Sequence, residues 1–414
     1  MLTAVSGVEL ALFALFAAAL GWYFAGYLLG LTAIRVLRPR AVHLVVPAPD
    51  DPDLPETTVL IPVFNEAALI EDKLADVLAL RYPRHRRRIV VVDGGSTDGT
   101  GERVAALRGR RGDDAGVVWR STRATGKIAQ LNVALADVPA GHLVVVTDAD
   151  ARILAPDALL RVVGYLRSNP GVGVVGGWVT PPLRRGLIGH AEQAYWDKLN
   201  RLRYTEMLAF SASIVVAPFY ALFRADLTGF PDDCIADDVY VSFAAHTRGR
   251  RVVYAPDIPV IELRQPRGLG QLYRHKRRKA HAYALELLRV AHKLPAMGKR
   301  LKFFYAHKLF EFFYLPWAAL GFAVLALHLL SAGAVGVVAA TGGVLLVSMV
   351  LASLSVTPPP GRTRGGLALV SVAASTVTFA VMFVVLMANF FAFPFRRDDS
   401  SYARLASSDS PEPP

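Results

Sequence analysis

Hydrophobic positions along the chain fall into two textures. Residues 8–37 form one long apolar run, charged only at Glu9 near its start and at Arg35 near its end, and long enough to cross a bilayer as a helix. From residue 57 the texture changes. Short runs rich in β-branched residues at 57–64, 88–93, 116–120, 142–147 and 171–179 predict strands. Periodic stretches at 67–80, 126–137 and 156–167, and a segment after the turn at 94–100, predict helices between them. Strands alternating with helices imply an α/β fold with a mostly parallel sheet covered on both faces. After Pro181-Pro182 the alternation stops. Residues 186–208 read as an amphipathic helix, 213–217 and 220–224 as short strands, 237–246 as a helix and 251–255 as the last strand. Residues 268–292 form a basic amphipathic helix of the kind that lies at a membrane surface. Three further apolar runs, 309–330, 332–356 and 367–393, predict spanning helices, and residues 303–316 carry His307, Lys308 and Glu311, which suits an interfacial start.

Composition sharpens this division. Of the 414 residues 53% are hydrophobic, more than an ordinary soluble domain carries. The formal charge of +12 sits in one place: residues 264–308 hold 13 Lys and Arg against the single acid Glu286. Such a block suits anionic headgroups or a nucleotide diphosphate. Because it abuts a hydrophobic span, a membrane is expected and nucleic acid is not. The lone Cys234 excludes an internal disulfide and fits a reducing compartment. No Lys or Arg precedes the first apolar run, and Arg35, Arg38 and Arg40 follow it. That is a span and not a cleaved leader, with the following segment in the cytoplasm. The expected organisation is a spanning helix at 1–38, a linker at 39–56, a cytoplasmic catalytic domain at 57–260 and basic interface helices at 261–302. About three spanning helices follow at 303–395, then a disordered tail at 396–414. The expected location is the plasma (inner) membrane.

Five polar signals punctuate the sheet region. They are Pro62 with Asn65-Glu66 after the first strand, and Asp93 opening Gly94-Gly95-Ser96-Thr97-Asp98-Gly99-Thr100. Next come Gly126-Lys127 with Gln130 and Asn132, then Asp148-Ala149-Asp150 ending Val144-Val145-Val146, and last Asp237-Asp238 with Gln271 and Arg274 downstream. Taken singly, each has an ordinary reading as a cap, a turn or a solvated side chain. All fall at strand ends, where open α/β sheets bind ligands. An Asp-x-Asp pair can hold a hard divalent cation, and that cation a diphosphate. Lys127 and Arg274 can supply positive charge, and Asp238, at a helix start, can take a proton.

In order and spacing these motifs resemble the family 2 glycosyltransferases with the GT-A nucleotide-sugar fold, over residues 57–284. The added spans resemble the family's membrane-embedded members, which include polysaccharide synthases and ceramide glucosyltransferases. The resemblance implies transfer, with inversion, of a sugar from a UDP- or GDP-sugar to a lipid-linked or growing glycan acceptor, with Mg2+ or Mn2+. It implies that Asp93 contacts base or ribose and that Lys127 lies near the nucleotide. Asp148 and Asp150 would form the metal pair, Asp150 being the direct ligand, and Asp238, beside Asp237, the catalytic base. Gln271 and Arg274 would meet diphosphate and acceptor. Pro62, Asn65 and Glu66 would border the donor. Three departures stand out: Gly94 follows Asp93 where many relatives have a second Asp, Asp237 replaces a Glu, and His275 replaces the Trp of the Gln-x-x-Arg-Trp motif. The last points to single transfer to a glycolipid or polyprenyl phosphate as the alternative to processive synthesis. A dinucleotide oxidoreductase would need Gly-x-Gly-x-x-Gly after the first strand, and the chain has Ile61-Pro62-Val63-Phe64-Asn65-Glu66 there. A non-catalytic membrane scaffold would not need the full set of carboxylates.

Overall fold

The computed structural model describes residues 5–111, 116–124, 126–182, 186–355, 381–388 and 390. Its centre is an eight-stranded sheet in the order β3-β2-β1-β4-β7-β6-β8-β5. The strands are β1 (Thr57–Val63), β2 (Arg87–Asp93), β3 (Val117–Ser121), β4 (Leu143–Val146), β5 (Ala151–Ile153), β6 (Val172–Thr180), β7 (Tyr220–Phe223) and β8 (Arg251–Glu262). Between them lie α3 (Ile70–Leu78), α4 (Thr100–Arg111), α5 (Lys127–Leu135), α6 (Ala158–Ser168), α7 (Leu187–Ala209) and α8 (Asp237–Thr247). Every residue of β1 and β4 is buried. That is what Val- and Ile-rich runs in a doubly covered sheet require.

The sheet is mixed and not uniformly parallel. Strands β3, β2, β1 and β4 run parallel, as do β6 and β8. Strand β7 is antiparallel to both β4 and β6, and β5 is antiparallel to β8. The expected strand at 213–217 does not form; only Val216 and Phe219 make an isolated bridge. Its backbone donors go to side chains instead. Ser213 N–H bonds Glu206 at 3.1 Å, Val215 N–H bonds Ser242 Oγ at 2.9 Å and Ala217 N–H bonds Asp238 at 3.0 Å. This satisfies the segment without a ladder. The last strand runs past 255 to Glu262, because its pairing with β6 slips between Gly177 and Trp178 and absorbs Pro256 in a bulge. Strand β5, three residues long, was too short to announce itself by periodicity.

The linker at 39–56 is packed on the domain. Asn169 accepts from His43 N–H at 3.1 Å and donates to His43 O at 2.7 Å. A Cβ at Gly164 on α6 would lie 2.5 Å from Val45 O, so only glycine allows this backbone approach.

Helices α1 (Gly7–Gly21) and α2 (Tyr27–Leu37) are joined through a π turn at Trp22–Gly26. After the basic α9 (Leu269–Ala291), α10 (Lys299–Leu309) and α11 (Leu315–Ser331) are joined the same way at Phe310–Tyr314. The resulting rods, Gly7–Leu37 and Lys299–Ser331, are long and apolar enough to cross a membrane. They pack side by side. Phe13 stacks on Phe322 at 4.9 Å, and Glu9 meets His328 at 3.0 Å. Helix α12 (Val335–Ser355) follows after a short turn. Of the third expected C-terminal span only 381–388 and 390 are described, with 381–388 helical; residues 356–380 and the tail at 396–414 lie outside the described residues. A second core of Tyr27, Leu31, Phe210, Phe243, Leu287, Phe304 and Tyr305 joins the rods to the sheet domain.

Candidate active site

The carboxyl ends of β1, β2 and β4 open on one edge of the sheet, and the polar signals of the sequence meet there. Asp148 and Asp150 follow β4. Lys127, the first residue of α5, places its ammonium 2.7 Å from Asp148 Oδ1 and 3.0 Å from Asp237 Oδ2. Asp237 is 3% exposed and also accepts a hydrogen bond from the Tyr220 hydroxyl at 2.8 Å. Asp238 is half-buried and so the more accessible of the two. Its Oδ2 accepts from Ala217 N–H at 3.0 Å. Both sit in the first turn of α8, where helix dipole and free N–H groups favour carboxylates.

Burial raises the pKa of Asp148, with Lys127 opposing and Asp150 adding to the rise. Burial also raises Asp150, against Arg264, and Asp238, with Asp237 beside it. Several carboxylates thus crowd one poorly solvated corner, which creates demand for positive charge. Among the described residues no group of three or more His, Cys, Asp or Glu forms a ready metal cluster. The donor set fits a hard divalent cation nonetheless. Asp148 and Asp150 offer hard oxygens, and Mg2+-type ions are held by one or two carboxylates with phosphates and water completing the shell. No thiolate or imidazole lies among them to favour a softer metal.

Two loops frame the donor side. Asn65 adopts φ 52°, the left-handed conformation that Asn tolerates. Its amide N–H donates to Ser96 Oγ at 2.7 Å and its side chain accepts from Thr97 N–H at 2.8 Å. Glu66 N–H donates to Thr100 Oγ1 and Ala67 N–H to Asp98, so the loops after β1 and β2 are stitched together. Gly95 and Gly99, both at φ 90°, supply the conformations this turn needs. Asp93, 4% exposed, spends both oxygens on Ser96 N–H at 3.0 and 3.1 Å. It builds the turn, and a nucleotide role would have to share it. Gln130 donates to Val63 O at 2.8 Å, and a Cβ at residue 94 would fall 2.1 Å from its Nε2. An Asp at 94 would have to displace Gln130, which accounts physically for the Asp-Gly pair here. Asn132 exchanges two bonds with the Phe230 backbone. Pro62 is buried within β1.

The structure departs from the sequence reading on the basic helix. Lys276 does not face headgroups: it is 3% exposed, pairs with Glu192 at 2.8 Å and lies 3.4 Å above the Tyr195 ring. Lys279 lies 5.3 Å from the Trp196 ring centroid. His281 is buried as well. The helical face that carries Lys276 packs on α7, whose Glu192 sets the direction of that lysine. Gln271 accepts from Arg267 N–H at 2.8 Å, which holds the chain just ahead of α9, while Arg274 is exposed.

Sequence reasoning missed Arg264, Lys73 and Glu262. Arg264 grips both oxygens of Glu66 and stands 3.5 Å from Asp150. Glu262, at the end of β8, is pushed up to about 7 by burial, with Lys279 opposing. Lys73 left one clue: it occupies an apolar-face position of α3 among Ile70, Leu74 and Val77.

With this geometry in place, comparison with known proteins defines the class. Residues 58–229 match the glycosyl transferase family 2 model, and the sheet domain has the GT-A fold. Over 244 residues the chain is 28% identical to the poly-beta-1,6-N-acetyl-D-glucosamine synthase of Staphylococcus aureus (strain COL), an alignment that covers 57% of each. It is 30% identical over 178 residues to the beta-monoglucosyldiacylglycerol synthase of a Nostoc species, covering 42% of this chain and 36% of that one. The chain therefore spans little more than half the length of the first of these relatives. A mannosyltransferase from Pyrobaculum calidifontis, solved with GDP-Man and Mn2+, is similar with a TM-score of 0.65 and 26% identity, covering 92% of this chain and 99% of that one.

Proposed function

We propose that the chain is a membrane-embedded inverting glycosyltransferase, which moves a sugar from a nucleotide-diphosphate sugar to a lipid-linked or growing glycan acceptor. The observation that carries the reading is the meeting of Asp148, Asp150, Lys127, Asp237 and Asp238 at the carboxyl edge of one sheet. Asp150 and Asp148 are the residues that would hold Mg2+ or Mn2+, and a cation there supplies charge neutralisation to a departing diphosphate. Lys127 adds a positioned ammonium on the same side. Asp237, fixed by Tyr220, holds Lys127 in place. Asp238 takes the acceptor proton: burial raises its pKa, which makes it a better base than an exposed carboxylate. With one base and no enzyme nucleophile, direct attack inverts the anomeric carbon. Arg35, Arg38 and Arg40 at the end of the first rod support a cytoplasmic position for the domain, where nucleotide sugars are made.

The named relatives include one that makes a polymer and one that makes a glycolipid. His275, where a Trp would line the acceptor site of processive relatives, favours single transfer. The test is a screen of UDP- and GDP-sugars with the purified full chain in detergent, with product length read after incubation with labelled donor. Absence of metal-dependent turnover or hydrolysis across the screen would leave a non-catalytic scaffold.

A further inference from the structure

Lys73 is 2% exposed and points from the inner face of α3 to the underside of the strand end that carries the two aspartates. Its ammonium donates to Thr147 Oγ1 at 2.6 Å and to the Ala151 carbonyl at 2.6 Å. These acceptors are the residues immediately before and after Asp148-Ala149-Asp150. The Thr147 hydroxyl, fully buried, in turn donates a hydrogen bond to the Pro218 carbonyl at 2.8 Å. One chain of hydrogen bonds thus links α3, the end of β4 and the loop before β7. Its neighbours on α3, Ile70, Leu74 and Val77, are fully buried and apolar. An apolar residue would satisfy that helix position without the desolvation cost of an ammonium. The cation therefore serves something other than packing.

We propose that Lys73 is a positioning residue, which clamps both ends of the Thr147–Ala151 turn and thereby fixes the separation and direction of Asp148 and Asp150 toward a divalent cation. Its hydrogen bonds go to the turn and to neither carboxylate, although its charge is felt by both Asp148 and Asp150; Thr147→Val, which leaves that charge in place, separates the clamp from the field. Groups that orient metal ligands from behind commonly matter to affinity about ten- to a hundredfold. The metal part of the inference rests on the proposed role of Asp148 and Asp150; the clamp itself does not.

The experiment uses the full chain in detergent with Lys73→Met, which keeps length and apolar contact and removes the donors, and with Thr147→Val, which removes one anchor from the other side. Hydrogen exchange is followed in peptides covering 143–153, with peptides from β1 and β2 as internal controls, and Mn2+ binding is followed by electron paramagnetic resonance. Both variants are expected to exchange about tenfold faster in the turn alone, to keep the wild-type melting temperature within a few degrees, and to bind Mn2+ about tenfold more weakly with an altered spectrum. Unchanged exchange in the turn of both variants overturns the clamp. Faster exchange with wild-type Mn2+ affinity and spectrum overturns its bearing on the metal. If Lys73→Met does not fold, Thr147→Val alone decides by the same readings. A wild-type chain that binds no Mn2+ removes the metal reading of the aspartates, while the exchange measurement still decides on the clamp.

Discussion

Arg264 holds both carboxylate oxygens of Glu66, which lies 198 residues away in sequence. This pair ties the end of β8 to the loop after β1 and brings a guanidinium to Asp150. Glu66 is 8% exposed at its side chain and Arg264 17%, so the charges are largely desolvated. Arg264→Met strands Glu66 and should cost about 3 kcal/mol in unfolding free energy. Adding Glu66→Leu should restore much of that loss. Chemical denaturation of the four proteins of this double-mutant cycle gives the coupling; a value near zero would mean the pair is incidental.

Asp150→Asn should lower turnover by on the order of a thousandfold while folding and membrane insertion are retained. The motive is its place in the Asp-x-Asp pair beneath the proposed diphosphate. Near-normal turnover would remove it from the metal site.

Asp238→Asn should slow the chemical step by about a hundredfold or more, with donor affinity nearly unchanged. Single-turnover kinetics separates the two. Collapse of donor binding with intact chemistry would make Asp238 a binding group.

The α9 cations divide by what they touch. Lys276 pairs with Glu192 at side-chain exposures of 2% and 4%, so Lys276→Ala leaves a buried carboxylate unpaired and should cost about 3 to 5 kcal/mol. Arg274 is exposed, and Arg274→Ala should leave the melting temperature alone and cut turnover. If Arg274→Ala changes neither, the Gln271–Arg274 spacing is a coincidence.

Much of this arrangement was legible because it is local. Strands β1, β2 and β4 announce themselves as buried β-branched runs, and the polar signals cluster at the ends of strands or the first turns of helices. What was not legible depends on partners far away in sequence. Lys276 reads as one more charge in a basic block until Glu192, on another helix, turns it inward. The stretch 213–217 has strand-like residues, yet Glu206, Ser242 and Asp238 take its amides. Asp93 looks free for a nucleotide until its oxygens are found on Ser96. Periodicity reports burial, not the identity of a tertiary hydrogen-bond partner.

His246 yields the pH prediction. It lies on α8 at 1% exposure, between the sheet domain and the rod that begins at Lys299. Its Nε2 pairs with Ser211 Oγ at 2.9 Å, and its Nδ1 lies 3.2 Å from the Tyr305 hydroxyl. Ser211 Oγ also accepts from Val252 N–H, and Phe243 and Phe304 flank the ring. No carboxylate is among these contacts to stabilise an imidazolium, and burial lowers the pKa from 6.5 to about 4. In the unfolded chain the ring protonates near 6.5; in the folded chain it stays neutral until about pH 4. Between those values the unfolded state binds more protons, so stability falls as pH falls. The penalty is absent above about pH 6.5 and reaches about 3 kcal/mol near pH 4, at 1.36 kcal/mol per unit. Raised carboxylates such as Glu262 act in the opposite sense, so the measurement is the difference between wild type and His246→Gln. The variant should melt lower by a constant amount at pH 7 to 8, and the gap should narrow steadily from pH 6.5 to pH 4.5. Parallel curves across that range would mean that His246 is protonated in the folded state, with water or a carboxylate reaching it at the junction of domain and rod.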